Sequence, residues 1–191
     1  MSRLKTIAMN LSLGMAVVTG ALALSPNDAS AVGIDLGFKL GAGYTTINNG
    51  GLFDFTIDLG CRWDYFAVQL EQTVSYAINS IDTRHGNHAK DHLFGNTLIG
   101  IKGLLGGEAF EFSAFAGGGV SYGSKIETSG AVKANLEFLF NKFYSDVWLQ
   151  FGPYLSYQYN FAGEDHIATG GFLVRFPAIG DNWKRRFYED E

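Results

Sequence analysis

The chain has 191 residues, 47% of them hydrophobic and only 17% charged, with 25 Gly, 16 Phe, 9 Tyr, 3 Trp and a single Cys. Soluble domains average about 25% charged residues and about 7% glycine, and one cysteine excludes a disulfide framework and a cysteine-based zinc site. A net charge of −5 argues against nucleic acid as the main partner. Because glycine weakens helices and aromatic residues favour strands, the composition predicts an all-β chain.

The N-terminal segment, residues 1–31, is typical of a cleaved secretory signal peptide. A short basic start precedes a mostly apolar stretch from Ile7 to Leu24, and Ala29 and Ala31 supply the small residues before a cleavage point. A retained transmembrane anchor is the alternative, but polar residues interrupt the stretch, which falls short of the roughly 20 residues of a strong span. We therefore predict that the mature chain is exported.

The mature chain alternates apolar and polar residues with a period of two. Between Gly33 and Tyr44 the even positions are apolar or aromatic, whereas the odd positions carry glycine, Asp35 and Lys39. Successive strand side chains point to opposite faces, so this alternation predicts strands, whereas a helix would need a period of 3.6. The pattern recurs to give eight predicted strands, at 33–44, 52–63, 66–79, 93–105, 109–122, 131–143, 147–159 and 166–176.

The links between the predicted strands also alternate. Links after strands one, three, five and seven cover six to thirteen residues, whereas the other three cover two or three. Such a chain forms an up-and-down meander with two unlike rims. Short periplasmic turns and longer extracellular loops are typical of bacterial outer-membrane barrels.

Along each predicted strand, alternate positions form two sets, here called phases, which point to opposite faces. The charged residues fall on one phase, with Lys142 at a strand end as the exception. A soluble barrel with an apolar core would show the same alternation. Three features favour a membrane barrel: glycine is concentrated on the charged phase, charges in the strands are few, and aromatic residues gather at strand ends like interfacial girdles. Five residues break the pattern: Phe94, Leu98, Phe115 and Trp148 on the polar phase and Gln72 on the apolar phase.

The charged phase is then expected to line the lumen. Eight strands leave an interior that side chains just fill, and an unpaired buried ion costs several kcal/mol. We therefore predict a plugged, salt-bridged lumen, with a strand register that places Asp35 opposite Arg62 and Lys39 opposite Asp58. The predicted ion-pair network comprises Asp35, Lys39, Asp54, Asp58, Arg62, Glu71, Lys102, Glu111, Lys133, Glu137 and Arg175.

The last predicted strand carries Thr169, Gly171, Val174 and Phe176 at the spacing of a polar residue, a glycine and two apolar or aromatic residues. This spacing resembles the assembly signal that the barrel-insertion machinery recognises in outer-membrane proteins. The mature chain up to Phe176 resembles the small eight-stranded outer-membrane β-barrel superfamily, the outer-membrane protein A/X-type barrels. The resemblance implies an all-β, eight-stranded antiparallel up-and-down transmembrane β-barrel, in contact with outer-membrane lipid, lipopolysaccharide and the barrel-assembly machinery.

Two segments depart from a plain barrel. Residues 177–191 continue beyond the aromatic residue at which such barrels usually end, and we predict a short solvated periplasmic tail, with docking to an envelope partner as the alternative. The longest link holds three histidines and an aspartate, residue types that bind zinc, copper or nickel. They are only weak metal candidates against a polar loop, at His85, His88, Asp91 and His92.

An enzyme is the alternative function class. Some small barrels modify lipid A with a serine or aspartate and a histidine at the outer rim, and here His166, Ser121 and Asp54 lie near one level, although no motif links them. Cys61 falls on the lipid phase and is interpreted as an apolar filler. We predict a non-enzymatic outer-membrane protein without a cofactor, acting in envelope integrity or in binding an extracellular ligand through its loops. A lipid A-modifying enzyme and a small-solute, porin-like channel remain the alternatives.

Overall fold

The computed structural model describes residues 33–47, 50–63, 65–78, 92–107, 109–123, 128–144 and 147–178. These residues form a closed barrel of eight antiparallel strands, which confirms the predicted fold class. The strands are β1 (Gly33–Thr45), β2 (Gly50–Arg62), β3 (Phe66–Ile78), β4 (His92–Gly106), β5 (Phe110–Gly123), β6 (Ser129–Tyr144), β7 (Val147–Asn160) and β8 (Asp165–Ala178). Within the described ranges, no helix has the length and apolar character needed to cross a membrane.

The predicted signal peptide lies outside the described residues. So does most of the predicted tail, although β8 runs to Ala178, two residues past the predicted end of the barrel. Each strand pairs with its neighbour in sequence, and β8 pairs with β1 to close the barrel.

The period-two pattern separates an inner face from an outer face along every strand. In β6, for instance, residues 131–139 alternate strictly between buried odd positions and exposed even positions. Among the described strand residues, Lys142 is the one Lys, Arg, Asp or Glu on the outward phase. The outer face is instead apolar, with Leu155 and Leu40 about two-thirds exposed. Tyrosine and phenylalanine lie at both ends of this face, as the girdle prediction requires.

The two rims differ less than the sequence suggested. At one rim, here called the loop rim, the connections are 46–49, 79–91, 124–128 and 161–164. Three of these have only four or five residues, because β1, β2, β5, β6, β7 and β8 each extend one or two residues further toward the rim than the alternation predicted. At the opposite turn rim the connections are 63–65, 107–109 and 145–146. The segment 79–91 is therefore the one long connection.

The predicted register between β1 and β2 was wrong by two residues. Gly37 lies opposite Asp58, and Gly41 lies opposite Asp54. A Cβ atom at Gly37 would lie 2.2 Å from Asp58 Oδ1, and one at Gly41 would lie 2.2 Å from Asp54 Oδ1. Each glycine thus leaves the space that an inward carboxylate occupies. The two predicted charge contacts still form diagonally across the strands, with Lys39 Nζ 3.3 Å from Asp58 Oδ2 and Arg62 Nη1 3.6 Å from Asp35 Oδ2.

Two of the apolar residues on the polar phase, Leu98 and Phe115, lie buried inside the barrel. The ring of Phe115 occupies the space that side chains at Gly100 and Gly117 would take, since Cβ atoms there would lie 2.7 Å and 2.5 Å from it. Phe115 is 2% exposed and Leu98 is 1% exposed, so both are enclosed by the barrel. The glycines of the inner face therefore accommodate a bulky ring as well as carboxylates.

The polar exception on the outer face, Gln72, is satisfied by two neighbours. Thr97 Oγ1 donates to Gln72 Oε1 at 2.7 Å, and Gln72 Nε2 donates to Tyr122 Oη at 2.5 Å. The Tyr122 ring lies across Gly95, where a Cβ atom would approach it to 2.8 Å. Because each polar group finds a partner, the amide is tolerated on an apolar surface.

Tyr122→Phe is expected to destabilise the folded barrel by about 1 kcal/mol, because it removes the hydroxyl group that bonds the Gln72 amide on the outer face. The measurement is the urea midpoint of unfolding in lipid vesicles. Tyr65→Phe is the matched control, since Tyr65 is 75% exposed at the turn rim. Equal midpoints for the two variants would contradict the assigned role of the hydroxyl group.

Candidate functional site

The predicted lumen residues all lie on the inner face, and ten of the eleven contact one another in one continuous set of ion pairs. That set, here called the ion-pair network, comprises Asp35, Lys39, Asp58, Arg62, Glu71, Lys102, Glu111, Lys133, Glu137 and Arg175. The eleventh residue, Asp54, accepts a hydrogen bond from Tyr154 Oη at 2.9 Å. Five carboxylates therefore face five cations, and the network is electrically balanced when all ten groups are charged.

Glu137 on β6 lies at the centre of the network. Its Oε2 atom accepts from Arg175 Nη2 at 2.6 Å, from Lys102 Nζ at 3.0 Å and from Ser113 Oγ at 2.8 Å. Its Oε1 atom lies 2.9 Å from Lys39 Nζ. One carboxylate thus contacts cations from β1, β4 and β8, and the Glu137 side chain has no exposed surface.

Three carboxylates from Asp58, Glu71 and Glu137 offer oxygens within 4.8 Å of one another, the geometry of a candidate cation site. Lys39 Nζ lies among them, at 3.3 Å from Asp58, 2.5 Å from Glu71 and 2.9 Å from Glu137. The lysine ammonium group therefore supplies the positive charge that a metal ion would bring. Glu71 is further held by Lys133 at 2.9 Å and by the Asn135 amide at 2.6 Å.

Toward the turn rim the network continues through Arg62. This guanidinium group bonds Glu111 and lies 3.6 Å from Asp35 Oδ2. It also lies 5.3 Å from the centre of the Trp148 ring, which explains why a tryptophan stands on the polar phase of β7. Gln150 Nε2 donates to Glu111 Oε2 at 3.2 Å, so β7 joins the network through an amide.

Toward the loop rim the inner face carries a layer of amide side chains. Gln158 Nε2 donates to Asn96 Oδ1 at 2.9 Å and to Asn160 Oδ1 at 2.7 Å. Beyond this amide layer lies an apolar cluster of buried side chains with Ile47 packed against it, here called the loop-rim cap: Leu52, Ala77, Phe94 and Ile167. The exception Phe94 is thereby explained, because its side chain packs in this buried apolar cluster.

Several inward residues of the lumen escaped the sequence interpretation. Tyr154, Leu139 and Leu173 form a second buried apolar cluster next to the ion-pair network. The signal that could have found them is their phase, since each lies an even number of residues from an inward charge on its strand or from an inward amide. Their residue types did not indicate an inward position, because tyrosine and leucine are also common on a lipid-contacting face.

The three residues of the enzyme alternative are not brought together. His166 lies on the outward phase of β8, is exposed, and hydrogen-bonds Tyr157 Oη through Nδ1. Ser121 and Asp54 are buried on the inner face. A barrel wall therefore separates the imidazole from the hydroxyl and carboxyl groups that it would need as partners.

The remaining candidates lie apart from the lumen or outside the described residues. His85, His88 and Asp91 fall outside them, and His92 begins β4. Within the predicted assembly signal, Thr169 and Gly171 face inward, whereas Val174 and Phe176 face outward. Phe176 packs edge-on against Phe38 of β1, with ring centres 6.4 Å apart. Cys61 is 1% exposed on the outward phase of β2.

No protein-family description and no curated protein matches the sequence. Among solved structures, Neisserial surface protein A is similar to this chain, with a TM-score of 0.54 and 12% identity over 76% of this chain and 96% of that protein. The chain has the fold of a small outer-membrane β-barrel. As in such barrels, the outer face is apolar and the charged residues of the described strands line the lumen, with Lys142 as the exception.

Two further solved structures are similar at lower scores. One is Ail, the attachment invasion locus protein of Yersinia pestis, in complex with the heparin analogue sucrose octasulfate, at a TM-score of 0.42 and 14% identity over 78% of this chain and 98% of Ail. The other is a de novo designed transmembrane β-barrel, at a TM-score of 0.42 and 10% identity over 79% of this chain and 99% of the design.

Proposed function

We propose that this protein is a non-enzymatic outer-membrane barrel with a closed lumen, which supports envelope integrity or binds a partner at its extracellular loops. The observation that carries the closed lumen is the ion-pair network together with the loop-rim cap. Side chains from all eight strands meet inside the barrel, and Lys39, Glu71, Lys102, Glu137 and Arg175 have no exposed side-chain surface.

The contacts that close the lumen join strands that are not neighbours. Arg62 on β2 bonds Glu111 on β5, Asn135 on β6 bonds Glu71 on β3, and Gln158 on β7 bonds Asn96 on β4. A fourth contact links Tyr154 on β7 to Asp54 on β2. Each of these pairs is separated by two intervening strands, so its side chains cross the space through which a solute would have to pass.

The non-enzymatic role is supported by the position of the titratable groups. In the described part of the chain, the lumen carboxylates bond cations, hydroxyl groups or amides, and His166 faces outward. A nucleophile needs a base within about 3 Å and access to substrate. The inner groups have partners but no access, and the outer imidazole contacts a tyrosine.

We expect no single-channel conductance from the folded wild-type barrel in a planar lipid bilayer, because the network and the cap occupy the lumen at two levels. The measurement is the current at a fixed voltage after addition of detergent-solubilised protein. The control is the same preparation after heat unfolding, which reports leakage from detergent alone. Reproducible conductance steps that need the folded form would contradict the closed lumen and favour the channel.

The two proposed roles, envelope integrity and partner binding through the loops, predict different results when the long connection is replaced by a short turn. In cells that lack the protein, uptake of a hydrophobic fluorescent dye is expected to rise if the barrel supports the envelope. A variant in which residues 78–91 are replaced by a two-residue Asn-Gly turn keeps the pairing of Ala77 with His92 between β3 and β4, since such turns join antiparallel strands. Restoration of the dye barrier by this variant favours the integrity role, whereas restoration by wild type alone favours a loop-mediated role. An unchanged barrier in cells without the protein would contradict envelope integrity.

A further inference from the structure

On the outward face of the barrel, described residues of β6, β7, β8 and β1 line a shallow groove of about 580 Å³. Its floor consists of small residues from three strands, Ala42, Ala134, Ala168 and Gly170. Leu136 and Leu155 form its wall toward the turn rim. It lies wholly on the lipid-contacting side of the sheet and is separate from the ion-pair network.

Strand register is what creates the groove. Ala42 lies opposite Gly170, and Ala168 lies opposite both Tyr44 and Tyr157. Ala42, Gly170 and Ala168 therefore adjoin on β1 and β8, whereas most of the outer face carries Leu, Ile, Phe or Tyr. The tall side chains beside them remain half or more exposed, with Leu155 at 66% and Tyr44 at 50%. The depression is bounded by apolar side chains that point into the membrane.

The groove lies in the half of the barrel near the loop rim. Tyr44 is the next-to-last residue of β1, and Ala168 is the fourth residue of β8, which starts at that rim. At this end stand hydrogen-bonding groups, the hydroxyls of Tyr44 and Tyr157 and the imidazole of His166, which is bonded to Tyr157. Tyrosine at this level of a membrane protein meets the ester and headgroup region of the lipid.

We propose that the groove binds one acyl chain of an outer-leaflet lipid, with the lipid's ester or headgroup oxygens at the Tyr44 and Tyr157 end. The groove is continuous with the lipid-contacting face, so the molecules that reach it are those of the bilayer. Its floor offers CH groups for close van der Waals contact, and such packing is the main source of specific association within a membrane.

A second copy of the barrel fits the groove less well. Stable protein interfaces bury on the order of 1,200–2,000 Å², whereas this depression is confined to about three residues along each strand. The outer faces of two such barrels are both convex outside the groove. A flexible chain fills a depression of this size without requiring a matching surface.

The test is native mass spectrometry of the full chain, released from nanodiscs of dimyristoylphosphatidylglycerol into detergent. Wild type is expected to retain one lipid. Ala168→Phe fills the floor of the groove and is expected to lower the lipid-bound fraction about tenfold, the equivalent of roughly 1.4 kcal/mol of binding. Val74→Phe is the matched control, because Val74 is an exposed outward residue of β3, away from the groove.

A second groove variant, Ala42→Phe, keeps the proposal testable if Ala168→Phe does not fold, and heat-modifiable gel migration verifies folding of each. Equal lipid retention by the groove variants and by Val74→Phe would overturn the proposal. So would the absence of a one-lipid species in wild type, or a lipid-free dimer that the groove variants abolish. Lipid retention is measured independently of conductance and of dye exclusion. Failure of this proposal is therefore distinguishable from failure of the closed lumen or of the loop role.

Discussion

Glu137→Gln is expected to lower the free energy of unfolding by about 3–5 kcal/mol, the cost of removing one partner from a buried ion pair. Glu137 contacts Lys39, Lys102 and Arg175, and none of these four side chains is exposed. An amide at the same place keeps the volume but leaves the network with one cation in excess. The excess charge lies in a space where water cannot screen it.

The measurement is reversible urea unfolding in lipid vesicles, with the folded fraction at each urea concentration determined by heat-modifiable gel migration. Glu164→Gln makes the same chemical change at an exposed position in the connection between β7 and β8, and we expect it to change stability by less than about 0.5 kcal/mol. A loss at Glu137 no larger than at Glu164 would show that the buried network does not stabilise the barrel.

Combining Glu137→Gln with Lys102→Met distinguishes loss of charge balance from loss of packing. Lys102 is paired with Glu137, and methionine approximates the length of the lysine stem. The double variant restores equal numbers of both charges, so its destabilisation is expected to be smaller than the sum of the two single losses. Strict additivity would mean that the two side chains act independently.

Gly171→Ala is expected to lower barrel stability by about 1–3 kcal/mol, because an added Cβ atom overpacks the seam between β8 and β1. The added atom would lie 2.0 Å from the Leu40 carbonyl oxygen and 2.6 Å from Gly41 Cα. Both are backbone atoms, which cannot turn aside as a flexible side chain could. The two closing strands must therefore separate or slide to admit the methyl group.

The control for this variant is Gly51→Ala on β2, where an added Cβ atom meets nothing within 4 Å. Urea midpoints and the folded fraction after refolding are compared between the two variants. Since the sequence change is the same, alanine's own strand preference affects both equally. A midpoint for Gly171→Ala that equals that of Gly51→Ala would contradict the close approach at the seam.

Strand number, order and facing could be predicted from the sequence because they depend on alternation, which each strand carries by itself. The inward set of charges follows from that alternation at Asp58, Glu71 and Glu137 alike. The β1–β2 register could not be predicted in the same way. It depends on Gly37 and Gly41 leaving room for Asp58 and Asp54, and this is a packing relation between strands that no single strand encodes.

For the enzyme alternative, by contrast, the sequence alternation already indicates that His166 points away from Ser121 and Asp54. His166 has the same parity along β8 as Phe172 and Phe176, so alternation alone places its imidazole on the lipid side. His166 and Ser121 lie at a similar level along the barrel axis, but a similar level does not place two side chains on the same face of the sheet. The loop-rim cap, in contrast, needed the structure, because Leu52, Phe94 and Ile167 come from three strands that meet only after closure.

The distribution of the network over the chain has a consequence for biogenesis. Lys39 belongs to the first strand and its partner Glu137 to the sixth, while Arg175 comes from the last strand. Without β8, five carboxylates of the network would face four cations, and the excess charge would be exposed to acyl chains, where each unsatisfied group is costly. The network reaches full charge balance only when Arg175 arrives with the final strand, so insertion and closure are expected to be cooperative, without a stable intermediate that lacks β8.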